Sequence, residues 1–159
     1  MIGMTDKANR GRRIIWIACF LTLMPLVAFA GVSDQPYKPI NLAEFVANNR
    51  PHKEGTKSVV PPTNIRFIGK VMQIPQAREF KYVYRALAIM EVMPPPEITH
   101  QMFIADENEN VISVYVEKST AEIFIQHLKA GDAKEFTGYH LYNYKRGPAI
   151  VVDGIYDGS

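Results

Sequence analysis

The chain has 159 residues, 47% of them hydrophobic, which fits one domain with a buried core. Its formal net charge of +2 rests on the N-terminus: with Lys7, Arg10, Arg12, Arg13 and Asp6 set aside, the remainder stands at about −1. Such a domain has no global attraction for nucleic acid or acidic membranes, so any polyanion site on it must be a local patch.

Residues 1–30 have the layout of a secretory signal. Basic residues precede Ile14, an apolar run covers Ile14–Phe29 with Pro25 breaking it, and Ala28-Phe29-Ala30 offers an A-x-A cleavage site before Gly31. An uncleaved anchor is the rival, since the run falls just short of a minimal span of about 17 residues; Pro25 and the A-x-A favour cleavage. Cys19 is the only cysteine, and Trp16 stands where a lipoprotein signal wants leucine. Lipidation is therefore not expected, and the cleaved chain has neither disulfide nor thiolate chemistry. The three-part signal fits a bacterial periplasm, with membrane contact only transient, through the signal segment.

The predicted organisation is a signal over 1–30, an N-terminal arm over 31–63 and a β-barrel domain over 64–159. In the arm, Asn41 with Glu44 predicts a capped short helix over Leu42–Asn48. Asn49–Thr63, closed by Pro61-Pro62, reads as a linker, or as an arm that docks on a partner. Asn64–Ile74 reads as the first strand, with Gly69 marking a bend. Phe80–Met93 is ambiguous: Tyr82, Val83, Tyr84 and Ile89 favour a strand, while Phe80, Val83, Tyr84, Leu87 and Met90 fit helical spacing. Strand is the preferred reading. Thr99–Ala105 and Val111–Val116 flank the polar turn Asp106–Asn110 and form a hairpin. Ser119 and Glu122 match a capping box, predicting a helix from about 120 to 130 whose Ala121, Phe124, Ile125 and Leu128 plug the barrel, with Gly131 as its left-handed stop. Lys134–Tyr144 and Ala149–Tyr156, joined by Lys145-Arg146-Gly147-Pro148, close the fold. The expected class is mainly β: a small OB-like Greek-key β-barrel with one capped helix between strands 3 and 4.

Chemistry-bearing motifs are sparse. Asp106, Asn108, Asn110 and Glu117 match part of a calcium-loop register, but Val111 occupies the position where that loop needs glycine. His52, His100, His127 and His140 show no ligand spacing, no serine lies in a nucleophile elbow, and Lys145-Arg146-Gly147-Pro148 is not a phosphate loop. No catalytic residue, metal ligand or cofactor is expected. The aromatic set is more suggestive. Phe136, Gly138, His140, Tyr142 and Tyr144 alternate onto one predicted face, and the candidate ligand-binding residues are Tyr82, Tyr84, Arg85, Tyr142, Tyr144, Lys145 and Arg146. The competing reading is that tyrosines simply suit half-buried strands.

From Ile65 onward, the Gly-bent first strand, the QMFIADENENVISVYVEK hairpin, the helix and the two closing strands together resemble exported bacterial OB-fold proteins, the BOF family. The resemblance covers roughly Asn64–Asp157, with Pro75–Ile98 departing from the compact family pattern. It implies a periplasmic binding domain linked to envelope stress or small cationic ligands. The expected function is a non-enzymatic exported binding module for an envelope protein partner or a small or oligomeric ligand. The alternative is an oligonucleotide-binding OB-fold domain, which the near-neutral charge disfavours.

Overall fold

The computed structural model describes residues 36–50 and 57–157. The signal expected over 1–30 lies outside the described residues, as do positions 51–56 of the expected linker. In chain order the elements are β1 (Lys38–Pro39), α1 (Leu42–Asn48), β2 (Ser58–Ala77), α2 (Lys81–Ile89), β3 (Ile98–Ala105), β4 (Val111–Glu117), α3 (Lys118–His127), β5 (Ala133–Tyr144) and β6 (Gly147–Ile155). The fold is mainly β. The strands lie in the order β1-β2-β3-β4-β6-β5, and β5 also pairs with β2, so the mixed sheet closes as a ring. Within that ring only β4 and β6 run parallel.

The closure depends on β2, which serves two partners. It pairs with β5 from Ser58 to Lys70 and with β3 from Lys70 to Ala77. The handover follows directly on Gly69, where the sequence predicts a bend. A Cβ at Gly69 would already touch Ile104 at 3.4 Å and Phe136 at 3.6 Å. The strand is longer than expected, because Ser58–Thr63, read as linker, belongs to it. Pro61 and Pro62 fit there because the register slips between Val59 and Thr63, where a missing N–H breaks no regular ladder. Leu42 and Val46 of α1 are also buried in the core. β1, which pairs with Ile65 and Arg66 of β2, and α1 thus pack with the strands that follow residue 64.

Both faces of the sheet are covered. One face gathers Ile65, Phe67, Met102, Val114, Phe136 and Ile150 around Phe124 of α3 and Leu42 of α1. The other gathers Tyr139, Leu141, Tyr142, Ala149 and Val151 under Val83, Ala86 and Leu87 of α2. Alternation along β6 is thus apolar on both sides, as in strands buried front and back.

The Phe80–Met93 segment is a helix over Lys81–Ile89, not the strand preferred from sequence. Val83, Ala86 and Leu87, at i, i+3 and i+4, form its buried face. Tyr84 lies beside that face, 37% exposed, and its hydroxyl is fixed by the main chain of Ile98, donating to the carbonyl at 3.0 Å and accepting from the N–H at 2.9 Å.

The other helices divide. At α1, Asn41 is the N-cap and its Oδ1 accepts from the Glu44 N–H at 2.8 Å, as read from sequence. At α3 the expected capping box fails. The helix begins at Lys118, its N-cap is Glu117 with no side-chain cap, and Ser119 is an exposed residue inside the first turn. Ser119→Ala therefore has no cap to remove. The hydroxyl that ties the helix down is Thr120 Oγ1, which donates to the Asp153 carbonyl at 2.7 Å. Ile125 is 45% exposed rather than part of the plug, while Ala121, Phe124 and Leu128 are buried. The helix ends at His127, so Gly131 is not its stop. With φ of +97°, Gly131 instead shapes the turn into β5, and its N–H donates to the Val71 carbonyl at 2.7 Å.

Candidate functional site

A one-residue slip decides where the tyrosines go. His140 pairs with Ile150 and Tyr142 with Ala149, so β5 carries one extra residue, Leu141. Such a bulge turns the following side chain to the other face. Tyr142 therefore leaves the face of Phe136 and joins Tyr139 and Leu141 beneath α2. The expected single alternating face from Phe136 to Tyr144 is broken at that point.

The structure brings three of the seven candidate residues together. Tyr142 is 3% exposed, and its ring meets Tyr82 edge-on at 4.8 Å and lies 5.9 Å from Tyr144. Its hydroxyl shares a 2.8 Å hydrogen bond with that of Tyr115. Burial, then the bond to Tyr115, raises its pKa far above the usual phenol range. Tyr142 is thus a neutral core residue, covered by α2, and offers no open ring to a ligand. Tyr82 is partly buried, with Lys57 Nζ 3.5 Å above its ring. Arg85 is exposed on α2, next to the pinned Tyr84, so these two stand apart from the tyrosine cluster. Lys145 and Arg146 are exposed on the turn between β5 and β6.

Tyr144 and Arg146 instead line a cleft that sequence reasoning did not find as a unit. β4 and β6 pair only at Tyr115 with Val151 and Val116 with Val152. Ahead of those positions the two strands are not paired, and a cleft of about 120 Å³ is lined there by Val46, Phe103, Val111, Ile112, Ser113, Tyr144, Arg146 and Pro148. The hairpin supplies one wall. It is held by its own turn, where Asp106 Oδ1 accepts from the N–H groups of Asn108 and Asn110 at 2.9 and 2.8 Å. Between the two strands of the hairpin, the Gln101 amide donates to the Ser113 hydroxyl. Gly147 shapes the opposite wall. Its φ of +119° makes the tight turn, and a Cβ there would come within 3.3 Å of Val46. The cleft thus joins five apolar residues, Val46, Phe103, Val111, Ile112 and Pro148, with one cation, Arg146, and two hydroxyl side chains, Ser113 and Tyr144.

A second polar group lies away from the cleft. Tyr139 donates to Glu117 Oε1 and Tyr37 to Asp153 Oδ2, each at 2.8 Å. Burial raises the Glu117 pKa, with the Asp153 charge adding to it and the Tyr139 bond opposing it. These bonds tie the segment before β1 to β6, and β4 to β5. Among the described residues no three His, Cys, Asp or Glu side chains stand close enough to hold a metal ion, and no helix there is long and apolar enough to cross a membrane.

His140 is buried, edge-on to Phe45 at 5.2 Å, with Nε2 2.8 Å from Asn143 Oδ1. Burial lowers its pKa below the ordinary 6.5, against an opposing pull from Asn143. The unfolded chain therefore takes up this proton first. The stability that neutral His140 contributes is complete above pH 6.5 and is lost as pH falls below it. Denaturant unfolding of the native chain and of His140→Gln across this window is expected to show a steeper acid loss for the native chain.

No protein-family model matches the chain, and no curated protein matches it.

Proposed function

We propose that the protein is a non-enzymatic, exported binding module on an OB-type barrel, which takes a protein partner or a small or oligomeric ligand in the cleft between β4 and β6. The observation that carries this reading is the cleft itself: a concave site that sets Ser113, Tyr144 and Arg146 among five apolar residues, where the ring of strands is unpaired. Three features support the barrel type. The ring runs β2-β3-β4-β6-β5, its one parallel join is between β4 and β6, and a helix links β4 to β5. OB-type Greek-key barrels bind ligands across the second and third strands and beside the last turn, which here are β3, β4 and Lys145–Arg146. The resemblance to exported OB-fold proteins of the BOF family points to the same class.

Amide chemical-shift mapping tests the reading with three probes: N-acetylated dipeptide amides, maltotriose and hexathymidylate. The expected result is perturbation confined to Phe103, Val111–Ser113 and Tyr144–Pro148 by one of the first two. Strong selective binding of hexathymidylate would instead favour an oligonucleotide-binding domain.

Export forms part of the proposal. The basic, apolar and A-x-A segments of residues 1–30 predict a mature N-terminus at Gly31. Mass spectrometry of periplasmic protein is expected to find it. An intact Met1 terminus in the membrane fraction means an anchor instead.

A further inference from the structure

We propose that the cleft receives an extended peptide segment of a partner protein, which adds as a strand to the outer edge of β4. This rests on the binding-module reading and names the chemistry of its ligand.

β4 is paired with β3 from Val111 to Glu117, but on its other side it meets β6 only at Tyr115 and Val116. A strand in an antiparallel pair turns alternate N–H and C=O groups to each side. Over Val111–Val114, the groups turned away from β3 therefore meet no strand among the described residues. A row of such groups is a template for another strand, and main-chain bonding of this kind binds a peptide regardless of most of its sequence. The facing edge of β6 is unsuited to the role, because Gly147–Ile150 is buried and Pro148 has no N–H to donate. Val111, by contrast, is 54% exposed, and Ile112 and Ser113 are partly so.

The size and charge of the cleft refine the ligand. Its volume of about 120 Å³ is close to the roughly 150 Å³ of an apolar cavity that holds one benzene-sized group. It therefore accommodates one side chain of an added strand. Residues two apart on a strand share a face, so the next residue on that face can reach the turn that carries Arg146. Arg146 is exposed and makes no ion pair among the described residues. The ligand class is thus an extended peptide with an apolar residue two positions from an acidic one.

The test begins by panning a randomised heptapeptide phage library on the purified full chain. The expected yield is a motif with an apolar and an acidic residue two apart. In a synthetic peptide of that motif, N-methylation of alternate amides is expected to weaken binding about tenfold each, the effect of one lost main-chain hydrogen bond, while methylation of the amides between them changes little. Arg146→Glu, on an exposed turn, is expected to weaken the acidic peptide about tenfold and to bind a lysine-substituted peptide better than the native chain does. If the selected peptides ignore N-methylation everywhere yet shift cleft amides, strand addition is wrong and the binding-module reading stands. Strand addition is equally wrong, with that reading intact, if no peptide is selected while maltotriose or hexathymidylate shifts those amides. If no probe perturbs the cleft, both fail.

Discussion

Gly138→Ala is expected to leave little folded protein. Gly138 sits on β5 against the point where β6 carries an extra residue, between the pairs Thr137 with Gly154 and Gly138 with Val152. A Cβ at this position would stand 2.1 Å from the Val151 carbonyl oxygen, 3.0 Å from its carbon and 3.1 Å from the Val152 Cα. All three are main-chain atoms in a strand buried on both faces, so no flexible side chain can yield. Relief requires β5 and β6 to separate, which opens the ring of strands at that join and parts the layer that Tyr139 and Tyr142 form with Ala149 and Val151 under α2. The expected loss exceeds about 4–5 kcal/mol, beyond the ordinary range for one substitution and a large share of a typical domain's stability. Circular dichroism and denaturant unfolding check it. Gly131→Ala is the control: nothing lies within 4 Å of its Cβ, so only the strain of its positive φ remains, about 1–3 kcal/mol.

Phe136→Ala is the second large effect. The Phe136 side chain is fully buried, its ring 6.0 Å from that of Phe67 on β2 and 5.9 Å from that of Phe124 on α3. It thereby joins the ring of strands to the helix that fills one face. Its truncation removes the transfer free energy of a buried ring and leaves a cavity whose walls are strands and cannot easily collapse, at an expected cost of about 3–5 kcal/mol. Chemical denaturation should show a lower midpoint at an unchanged slope, the sign of lost stability in an intact fold. A loss below about 1 kcal/mol would mean that the three rings do not share one core.

The features read correctly from sequence are local ones. Asn41 with Glu44, the β-branched run Val111–Val116, the polar turn at Asp106 and the reversal at Lys145-Arg146, shorter than the expected Lys145–Pro148 because β6 already begins at Gly147, each bring together residues whose preferences act within a few positions. The failures are of three physical kinds. Ser119 and Glu122 have the spacing of a capping box, but β4 runs into α3 without a loop. The extended residue that precedes the helix is Glu117, at φ −65° and ψ 149°, and Ser119 is already helical. At Phe80–Met93, β-favouring tyrosines compete with helical spacing, and the outcome is set by a distant demand. The continuous apolar run Ala149–Val152 has two buried faces, and the second needs a cover that α2 provides. That run was the available signal. The bulge at Leu141 left no such trace, since one extra residue changes register without changing composition. The cleft was equally hidden, because it arises from two strands far apart in sequence that pair over only two residues. Tyr144 and Arg146 were legible as candidates. That Val46, Phe103 and Pro148 meet them was not.

The assignment of the cleft is tested most directly by photo-cross-linking in the intact cell. Benzoylphenylalanine is placed at position 111 in one strain and at position 89 in another. Val111 is 54% exposed at the cleft and Ile89 59% exposed on α2, so both positions are reachable and neither replacement disturbs the core. The expected result is a discrete adduct from position 111, diminished by Arg146→Glu, with none from position 89. A discrete adduct from position 89 and none from position 111 would place the binding surface on α2 and contradict the cleft as the site.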